Sequence, residues 1–241
     1  MLVYQLKRNN MKRKVLHQFG FLVLVLLYST TLVFGQKPCD GYFAAHKGAK
    51  YEITAYDKKN EVEAVSSFLV KDASSGKVVI HLVTNSKGKE TLNTEYDITC
   101  DGKVAIMDQK KIVSNQLKSN MKDPNITVDV SGKDVESPLD LSVGQTLPDS
   151  EIDIAVKSSA MNMNMYFKTL DRKVVGQEKI TVPAGTFDCM IITATTDTKL
   201  LFAKKGTTKQ WVAKGVGMVK QETYAKNGKI EKTELLTSFS K

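Results

Sequence analysis

The chain has 241 residues, with 35 lysines and arginines against 26 acids and a formal net charge of +9. Five of the cations and none of the acids lie in the first 35 residues, so the remaining part carries 30 cations against 26 acids, or +4. Its lysines are scattered among acids, which excludes the basic stripe that tracks phosphates in nucleic-acid-binding proteins. We therefore expect no nucleic-acid partner.

The N-terminal segment has the parts of a secretory signal peptide. Met11-Lys12-Arg13-Lys14 is basic, an apolar run of 16 residues follows from Phe19 to Phe34, and Val33 and Gly35 are the small residues that signal peptidase requires. An uncleaved anchor is the alternative, but this run falls short of the roughly 20 residues that span a bilayer. We predict a signal peptide at 1–35, and one exported domain at 36–241 that is periplasmic or extracellular and has no membrane span.

Three cysteines lie in the exported part, and an oxidising compartment allows two of them to form a disulfide. Sequence alone leaves the pairing open. We favour Cys39–Cys100, because Cys189 lies in an alternating apolar run that is typical of a buried core residue. Lipid attachment at Cys39 is not expected, since Gln36-Lys37-Pro38 precedes it where small apolar residues are needed.

Alternation of apolar and polar residues dominates the exported part and predicts β-strands. Turns rich in Gly, Asn and Asp separate the runs, which is typical of antiparallel meanders. Asn227-Gly228 is the strongest hairpin signal, because both residues tolerate positive φ in a type I′ turn. The predicted strands are 51–55, 62–70, 77–84, 91–99, 152–156, 161–170, 173–181, 186–196, 208–212, 217–224 and 229–239.

One segment has helical rather than strand periodicity. Between Asp108 and Met121, apolar residues recur at helical spacing, Asp108 can cap the N-terminus and Pro124 follows the end. We predict one amphipathic helix at about 108–121, packed on the sheet. The stretch from Ser131 to Pro148 is interpreted as a long connection that can include one short strand. The predicted fold class is mainly β: an antiparallel meander that forms a curved sheet or half-open barrel, with this helix against it.

Several sequence motifs are shared with a known family. They are Val143-Gly-Gln-Thr-Leu-Pro-Asp149, Asp171-Arg-Lys-Val-Val-Gly176, Val182-Pro-Ala-Gly-Thr-Phe-Asp-Cys189 and Trp211-Val-Ala-Lys-Gly-Val-Gly217 with Val219-Lys-Gln-Glu-Thr223. As a set they resemble the exported DUF3108-like proteins, also called the TapB family, which are common in Bacteroidetes. The resemblance extends from about Pro38 to the C-terminus. It implies an envelope location and a β-meander, similar by fold analogy to the half-open barrels of periplasmic lipid carriers, and it transfers no catalytic residue.

No established catalytic motif is present in the sequence, which lacks a GxSxG elbow, HExxH, a P-loop and a complete dinucleotide fingerprint. Only His46 and His81 remain as possible general bases after signal cleavage. We interpret His81 as a structural strand residue and His46 as a solvated loop residue. We therefore expect no catalytic residue, no metal site and no cofactor; His81, a carboxylate and Cys189 in one cleft would indicate an enzyme instead.

The run Met161-Asn-Met-Asn-Met165 is the most unusual in the sequence. On a strand, Met161, Met163 and Met165 share one face. They form a flexible core strip in one interpretation, an adaptable lining for an apolar ligand in a second, and a Cu(I) site of soft sulfurs in a third. Trp211, the only tryptophan, is either a core residue or a ligand-stacking one. These three methionines and Trp211 are the candidate ligand-lining residues.

Three classes of function follow. We favour a noncatalytic envelope binding module for an apolar or lipid-like ligand. The alternative is a structural or interaction module that contacts another envelope protein through a sheet edge or an apolar patch. An enzyme of unrecognised type is the third. A continuous apolar cavity inside the sheet would favour the first class over the second.

Overall fold

The computed structural model describes residues 39–74, 76–120, 125–158 and 162–241, which belong to one compact unit. The thirteen strands and one helix among them confirm the predicted mainly β class. The predicted signal peptide and the candidate residue Met161 lie outside the described residues. The elements are β1 (Lys50–Asp57), β2 (Val62–Ser74), β3 (Lys77–Ser86), β4 (Lys89–Cys100), β5 (Val104–Met107), α1 (Gln109–Asn120), β6 (Thr127–Lys133), β7 (Val135–Pro138), β8 (Ser150–Lys157), β9 (Asn162–Val182), β10 (Gly185–Lys199), β11 (Ala203–Ala213), β12 (Gly217–Ala225) and β13 (Ile230–Ser240).

All of these strands form one antiparallel sheet that curls into a nearly closed barrel. Their spatial order is β6-β8-β9-β10-β11-β12-β13-β1-β2-β3-β4-β5-β7, so most neighbours in the chain are also neighbours in the sheet, as in the predicted meander. The first strand pairs with the last, and Tyr51 lies opposite Phe239. Although β6 and β7 follow each other in sequence, they form the two outer edges of the sheet.

Contacts across the two edges bring the barrel close to closure. The helix α1 packs on β4 from one side of the opening and on β6 from the other. Lys110 on α1 forms a 2.8 Å ion pair with Asp134, which lies between β6 and β7. Arg172 on β9 donates through Nη1 to the carbonyl oxygen of Glu136 on β7 at 2.9 Å. The opening is therefore bridged by one helix and by a buried guanidinium.

The helix begins where the sequence predicts it. Asp108 Oδ1 accepts a 2.9 Å hydrogen bond from the backbone N–H of Lys111, the N-cap contact that satisfies one of the free donors of the first turn. Val113 and Leu117 turn toward the sheet and pack on a cluster of buried residues from β8 and β9. Within the described ranges, no helix is long and apolar enough to cross a bilayer.

One long strand, β9, replaces two predicted strands. The sequence pattern stops at Leu170 and resumes at Lys173, but the chain stays extended throughout. The interruption is a β-bulge, where Asp171 has a φ of 54° and the register with β10 shifts between Thr193 and Thr195. A bulge increases local bending without ending the strand, which is how β9 follows the curvature of the barrel.

The hairpin predicted at Asn227-Gly228 is confirmed, but its turn differs from type I′. Only Gly228 has a positive φ, of 78°. Its N–H donates to the carbonyl oxygen of Ala225 at 2.8 Å, and the N–H of Ala225 donates to Lys229 at 2.9 Å. This is a type I turn followed by a glycine bulge, so a three-residue loop joins the strands.

Alternating side chains build the core as the pattern predicts. On β3, Val78, Ile80 and Leu82 are buried on one face. Among the described residues, they belong to the largest of three clusters, which also contains Trp211 on β11 and Leu236 on β13. The other two clusters are smaller: one joins Leu147, Val174, Ile192 and Val212, and one joins Ile152, Ile154, Val156 and Met165.

Candidate functional site

The interior of the barrel is hollow. A cavity of about 520 Å³ is lined by residues of α1 and of every strand except β6 and β13. Most of its lining is aliphatic or aromatic, and a few polar side chains interrupt it. Small-molecule sites have about 300–1,000 Å³ and the same kind of lining. The cavity is therefore the candidate functional site.

Neighbouring strands contribute an aromatic wall to this cavity. Tyr51 on β1 lies directly opposite Phe68 on β2, and their rings stack at 4.5 Å between centroids. Tyr96 on β4 extends the wall. Burial raises the pKa of Tyr96 to about 12 and, together with Tyr96, the pKa of Tyr51 well above its ordinary value. Both hydroxyls thus remain neutral at physiological pH.

The most polar part of the wall surrounds Arg172. The Arg172 side chain is 7% exposed, and its Nη1 donates to the carbonyl oxygens of Glu136 and Pro148 at 2.9 and 2.6 Å. Burial lowers the pKa of Arg172, and the nearby Asp149 carboxylate opposes this effect. Ser137 and Ser150 line the cavity beside it. The site consequently combines an apolar wall with one buried cation and two hydroxyls.

A second polar part of the lining is electrically neutral. Gln210 on β11 and Gln221 on β12 lie opposite each other, and both face the cavity. Gln221 Nε2 donates to a carboxylate oxygen of Glu234 at 2.8 Å, while the other carboxylate oxygen pairs with Lys232 at 2.9 Å. The amides therefore offer the interior donors and acceptors without an unpaired charge.

The predicted methionine lining lies apart from this cavity. Met163 and Met165 are opposite Val156 and Ile154 on β8, and they pack in the cluster that Leu117 of α1 covers. Met161 lies outside the described residues. The helix fills this part of the barrel, so the thioethers meet other side chains there. Their predicted role in ligand or copper binding stays a prediction, and the proposal below depends on other residues.

Trp211 lies on the opposite face of β11 from the cavity. Its neighbours Gln210 and Val212 line the cavity, so alternation directs the indole away from it. The ring is 4% exposed, and its Nε1–H donates to Glu178 Oε2 at 2.8 Å. Lys209 and Lys220 place their ammonium groups 4.5 and 4.7 Å from the ring centroid. The surroundings of Trp211 are those of a packed structural residue, and its predicted stacking role stays a prediction.

The chemistry-bearing residues that could signal an enzyme lie apart. Cys39 and Cys100 form a disulfide with a Cα–Cα distance of 5.7 Å. Cys189 is a free, buried thiol whose pKa burial raises to about 11. His81 lies on β3 with Nε2 2.9 Å from Asn93 Oδ1. Neither Cys189 nor His81 is among the residues that line the cavity.

Sequence reasoning missed the residues that line the cavity, although it placed most of them in strands. Tyr51, Phe68 and Tyr96 lie in predicted strands, and alternation gives their face. A further signal was present on the opposite wall, where Ala194 and Thr208 point inward. Such small or polar inward side chains cannot fill a barrel, and their recurrence indicates a hollow rather than a packed core.

Comparisons with known proteins agree with this architecture. No match was found among curated proteins. A protein from Bacteroides fragilis, described as exported and as having a YmcC-like fold, has a TM-score of 0.67 and 18% identity over 84% of this chain and 100% of its own. A protein from Parabacteroides distasonis, described as a lipoprotein, has a TM-score of 0.66 and 20% identity over 84% and 99% of the two chains. These similarities show a shared fold.

The sequence comparison is more specific. The profile of the DUF3108-like family matches residues 46–236, which include the helix, β1 to β12 and the first part of β13. This range contains each of the motifs on which the resemblance was based. The chain belongs to the DUF3108-like family.

Proposed function

We propose that this protein is an exported, noncatalytic binding protein that holds an apolar, lipid-like ligand inside its barrel. The observation that carries the proposal is the cavity of about 520 Å³ with its mainly apolar lining. When an apolar ligand replaces water against this lining, binding is favoured by about 25 cal/mol for each Å² of apolar surface removed from water. A barrel that leaves this surface uncovered is thus suited to binding.

The lining also indicates what the ligand carries at its polar end. Arg172, Ser137 and Ser150 supply hydrogen-bond donors in one part of a mainly apolar wall. The guanidinium of Arg172 has the Asp149 carboxylate nearby, but its hydrogen bonds go to neutral oxygens. Burying a guanidinium is costly, and an acidic group on the ligand would offset more of that cost. An amphiphile with a hydrocarbon body and a carboxylate or phosphate end fits this combination.

Export is supported by three independent observations. The N-terminal sequence has the parts of a signal peptide. The Cys39–Cys100 disulfide suits an oxidising compartment, either the periplasm or the extracellular space. Proteins of the same fold from two Bacteroidetes genera are described as exported or as a lipoprotein.

The proposal is tested by what the purified protein carries and takes up. Organic extracts of the protein, isolated from its own host, are analysed by mass spectrometry. In parallel, the stripped protein is titrated with a fluorescent fatty acid. We expect a recurrent amphiphile in the extracts and saturable uptake of the probe. Extracts without such a compound, combined with no saturable uptake, would refute the binding function and favour the interaction module.

A matched pair of variants locates the bound probe. Ala194→Phe places a ring in the cavity, whereas Thr195→Phe places the same ring on the opposite face of β10. Overfilling an occupied site costs about 1–3 kcal/mol, so Ala194→Phe should weaken uptake about tenfold or more, and Thr195→Phe should not. Equal affinities for the two variants would show that the probe binds elsewhere.

A further inference from the structure

The hairpin of β10 and β11 ends in consecutive large apolar residues that face solvent. Leu200, Leu201 and Phe202 are 51%, 76% and 86% exposed. The other exposed large apolar residues of the described chain occur singly, which is ordinary for a protein surface. Three consecutive exposed apolar residues at a hairpin end are unusual for a protein surface. We call these three residues the apolar tip.

Lysines flank the apolar tip on both strands. Lys199 is the last residue of β10, and Lys204 and Lys205 lie just inside β11. Lys204 pairs with Glu231 at 2.6 Å and Lys205 pairs with Asp197 at 3.1 Å, yet the two lysine side chains remain 63% and 68% exposed. Their ammonium groups can therefore still meet anions from solution.

The strand register places three further turns at this end of the barrel. Asp57 at the end of β1 lies opposite Lys232 near the start of β13, Ala64 lies opposite Ser86, and Gly206 lies opposite Ala225. The β1–β2, β3–β4 and β12–β13 turns thus share the end that carries the apolar tip, which we call the basic end. Its turns hold Lys58, Lys59, Lys87, Lys89, Lys226 and Lys229 against Asp57, Glu61 and Glu90.

Aromatic residues lie just inside the apolar tip. On β9, Tyr166 is opposite Lys199 and Phe167 is opposite Thr198, and Phe167 is 38% exposed. Behind the apolar tip, the lysines and the aromatic rings therefore lie at about the same level of the strands. In membrane interfaces, Trp and Tyr are enriched at the level of the head groups. Lysines extend their stems along apolar surface while the charge stays at the head groups.

We propose that the basic end docks on the surface of a lipid bilayer that carries anionic head groups, with the apolar tip inserted among them. A bilayer accepts a protruding apolar end surrounded by scattered cations, because its own charge is spread over the surface rather than placed at fixed points. A protein partner would instead need a groove shaped to the tip and acids at defined positions.

Docking at this end has a consequence for the cavity. Thr196 and Thr208 line the cavity, and Thr196 precedes Lys199 by three residues, or about 10 Å along the strand. The interior of the barrel would then lie close to the head groups. This consequence rests on the proposed function, whereas the docking itself does not.

The test is co-sedimentation of the full protein with lipid vesicles. We expect binding to phosphatidylcholine vesicles that contain phosphatidylglycerol, weaker binding to phosphatidylcholine alone, and loss of the difference at high salt, since salt screens exposed charges. No binding to either vesicle overturns the proposal, and so does equal binding to both. If the apolar tip binds a protein instead of a bilayer, neither kind of vesicle should bind.

Two pairs of variants separate the apolar and the charged contributions. Leu201→Ser with Phe202→Ser should weaken vesicle binding by about tenfold or more, whereas Val143→Ser with Val175→Ser, which alters exposed apolar residues elsewhere, should not. Lys199→Gln with Lys205→Gln should remove the preference for phosphatidylglycerol, and Lys47→Gln with Lys103→Gln should retain it. Apolar-tip variants that bind like the unmodified protein would refute insertion.

Fluorescence gives an independent reading of depth. Phe202→Trp puts an indole at the apolar tip, and its emission should shift to the blue and be quenched by brominated lipid tails when anionic vesicles are added. Unchanged emission in the presence of bound vesicles would overturn insertion of the apolar tip. Uptake of the fatty-acid probe by the Leu201→Ser, Phe202→Ser protein should be normal, so failure of docking and failure of ligand binding are distinguished.

Discussion

The two ends of the barrel treat apolar surface in opposite ways. At one end, the chain packs on the sheet. The disulfide links Cys39 to Cys100 on β4. In the tight turn between β9 and β10, the N–H of Ala184 donates to the carbonyl oxygen of Leu236 on β13. At the basic end, the apolar tip stands in solvent. The same residue types thus stabilise the fold at one end and remain available for binding at the other.

Removing the disulfide should have the largest effect. Cys39→Ser with Cys100→Ser removes a link between residues 61 positions apart, and loops of that size correspond to about 4 kcal/mol of unfolding free energy. Urea unfolding monitored by circular dichroism measures the loss. Cys189→Ala, which alters the free thiol, should cost about 1 kcal/mol. If the Cys39→Ser, Cys100→Ser variant and the Cys189→Ala variant are equally stable, the disulfide does not stabilise the folded protein.

The same substitution at the two ends should give different results. Leu236 is fully buried, so Leu236→Ala leaves a cavity and should lower the free energy of unfolding by about 3 kcal/mol. Leu201 is 76% exposed, so Leu201→Ala should change it by less than about 0.5 kcal/mol. Urea midpoints measured side by side check both values. A large loss with Leu201→Ala would mean that the apolar tip packs in the folded protein.

The smallest expected effect depends on pH. Asp97 accepts hydrogen bonds from Lys77 and Lys111, at 3.1 and 3.3 Å, and thereby links β3 to α1. Burial of Asp97 opposes ionisation, but the two lysines outweigh it and lower the pKa of Asp97. Because the folded-state pKa is below the unfolded one, the contribution is complete above the unfolded value, roughly pH 4, and is lost as pH falls through the folded value.

We therefore expect Asp97→Asn to lower the free energy of unfolding by about 1 kcal/mol at neutral pH and by nothing in strong acid. Glu231→Gln, which removes the partner of the exposed Lys204 at the basic end, should have less than half that effect at neutral pH. Thermal unfolding across the pH range gives both curves. A difference for Asp97→Asn that persists below its folded pKa would contradict the ionic origin.

Local sequence signals predict the elements of this fold well. Alternation on β3 and β8, the turn residues and the Asp108 cap each act within a few residues, so they can be read without knowing the rest of the chain. The strands β5 and β6 were not predicted. At two other places the prediction differed because a local signal had two solutions. The polar residues around Asp171 fit a strand end as well as a bulge, and Asn227-Gly228 fits two hairpin turns.

The site was harder to predict because it depends on contacts between distant strands. Alternation shows that Tyr51 points inward, but whether it meets another side chain depends on how far the whole sheet curls. Arg172 contacts Glu136 and Pro148 only because the curl brings β9 to β7. The methionine run is unusual only in composition, because Met163 and Met165 pack in the part of the barrel that α1 fills.

The location of Cys189 protects the finished protein from rearranging its own cross-link. Three cysteines allow three pairings in an unfolded chain, and exchange between them requires a thiolate that can reach the bonded sulfurs. In the folded barrel Cys189 is 2% exposed and burial raises its pKa to about 11, so it is protonated and inaccessible. Scrambling is therefore confined to the time before the sheet closes, and reductant-free storage should preserve a single covalent isomer.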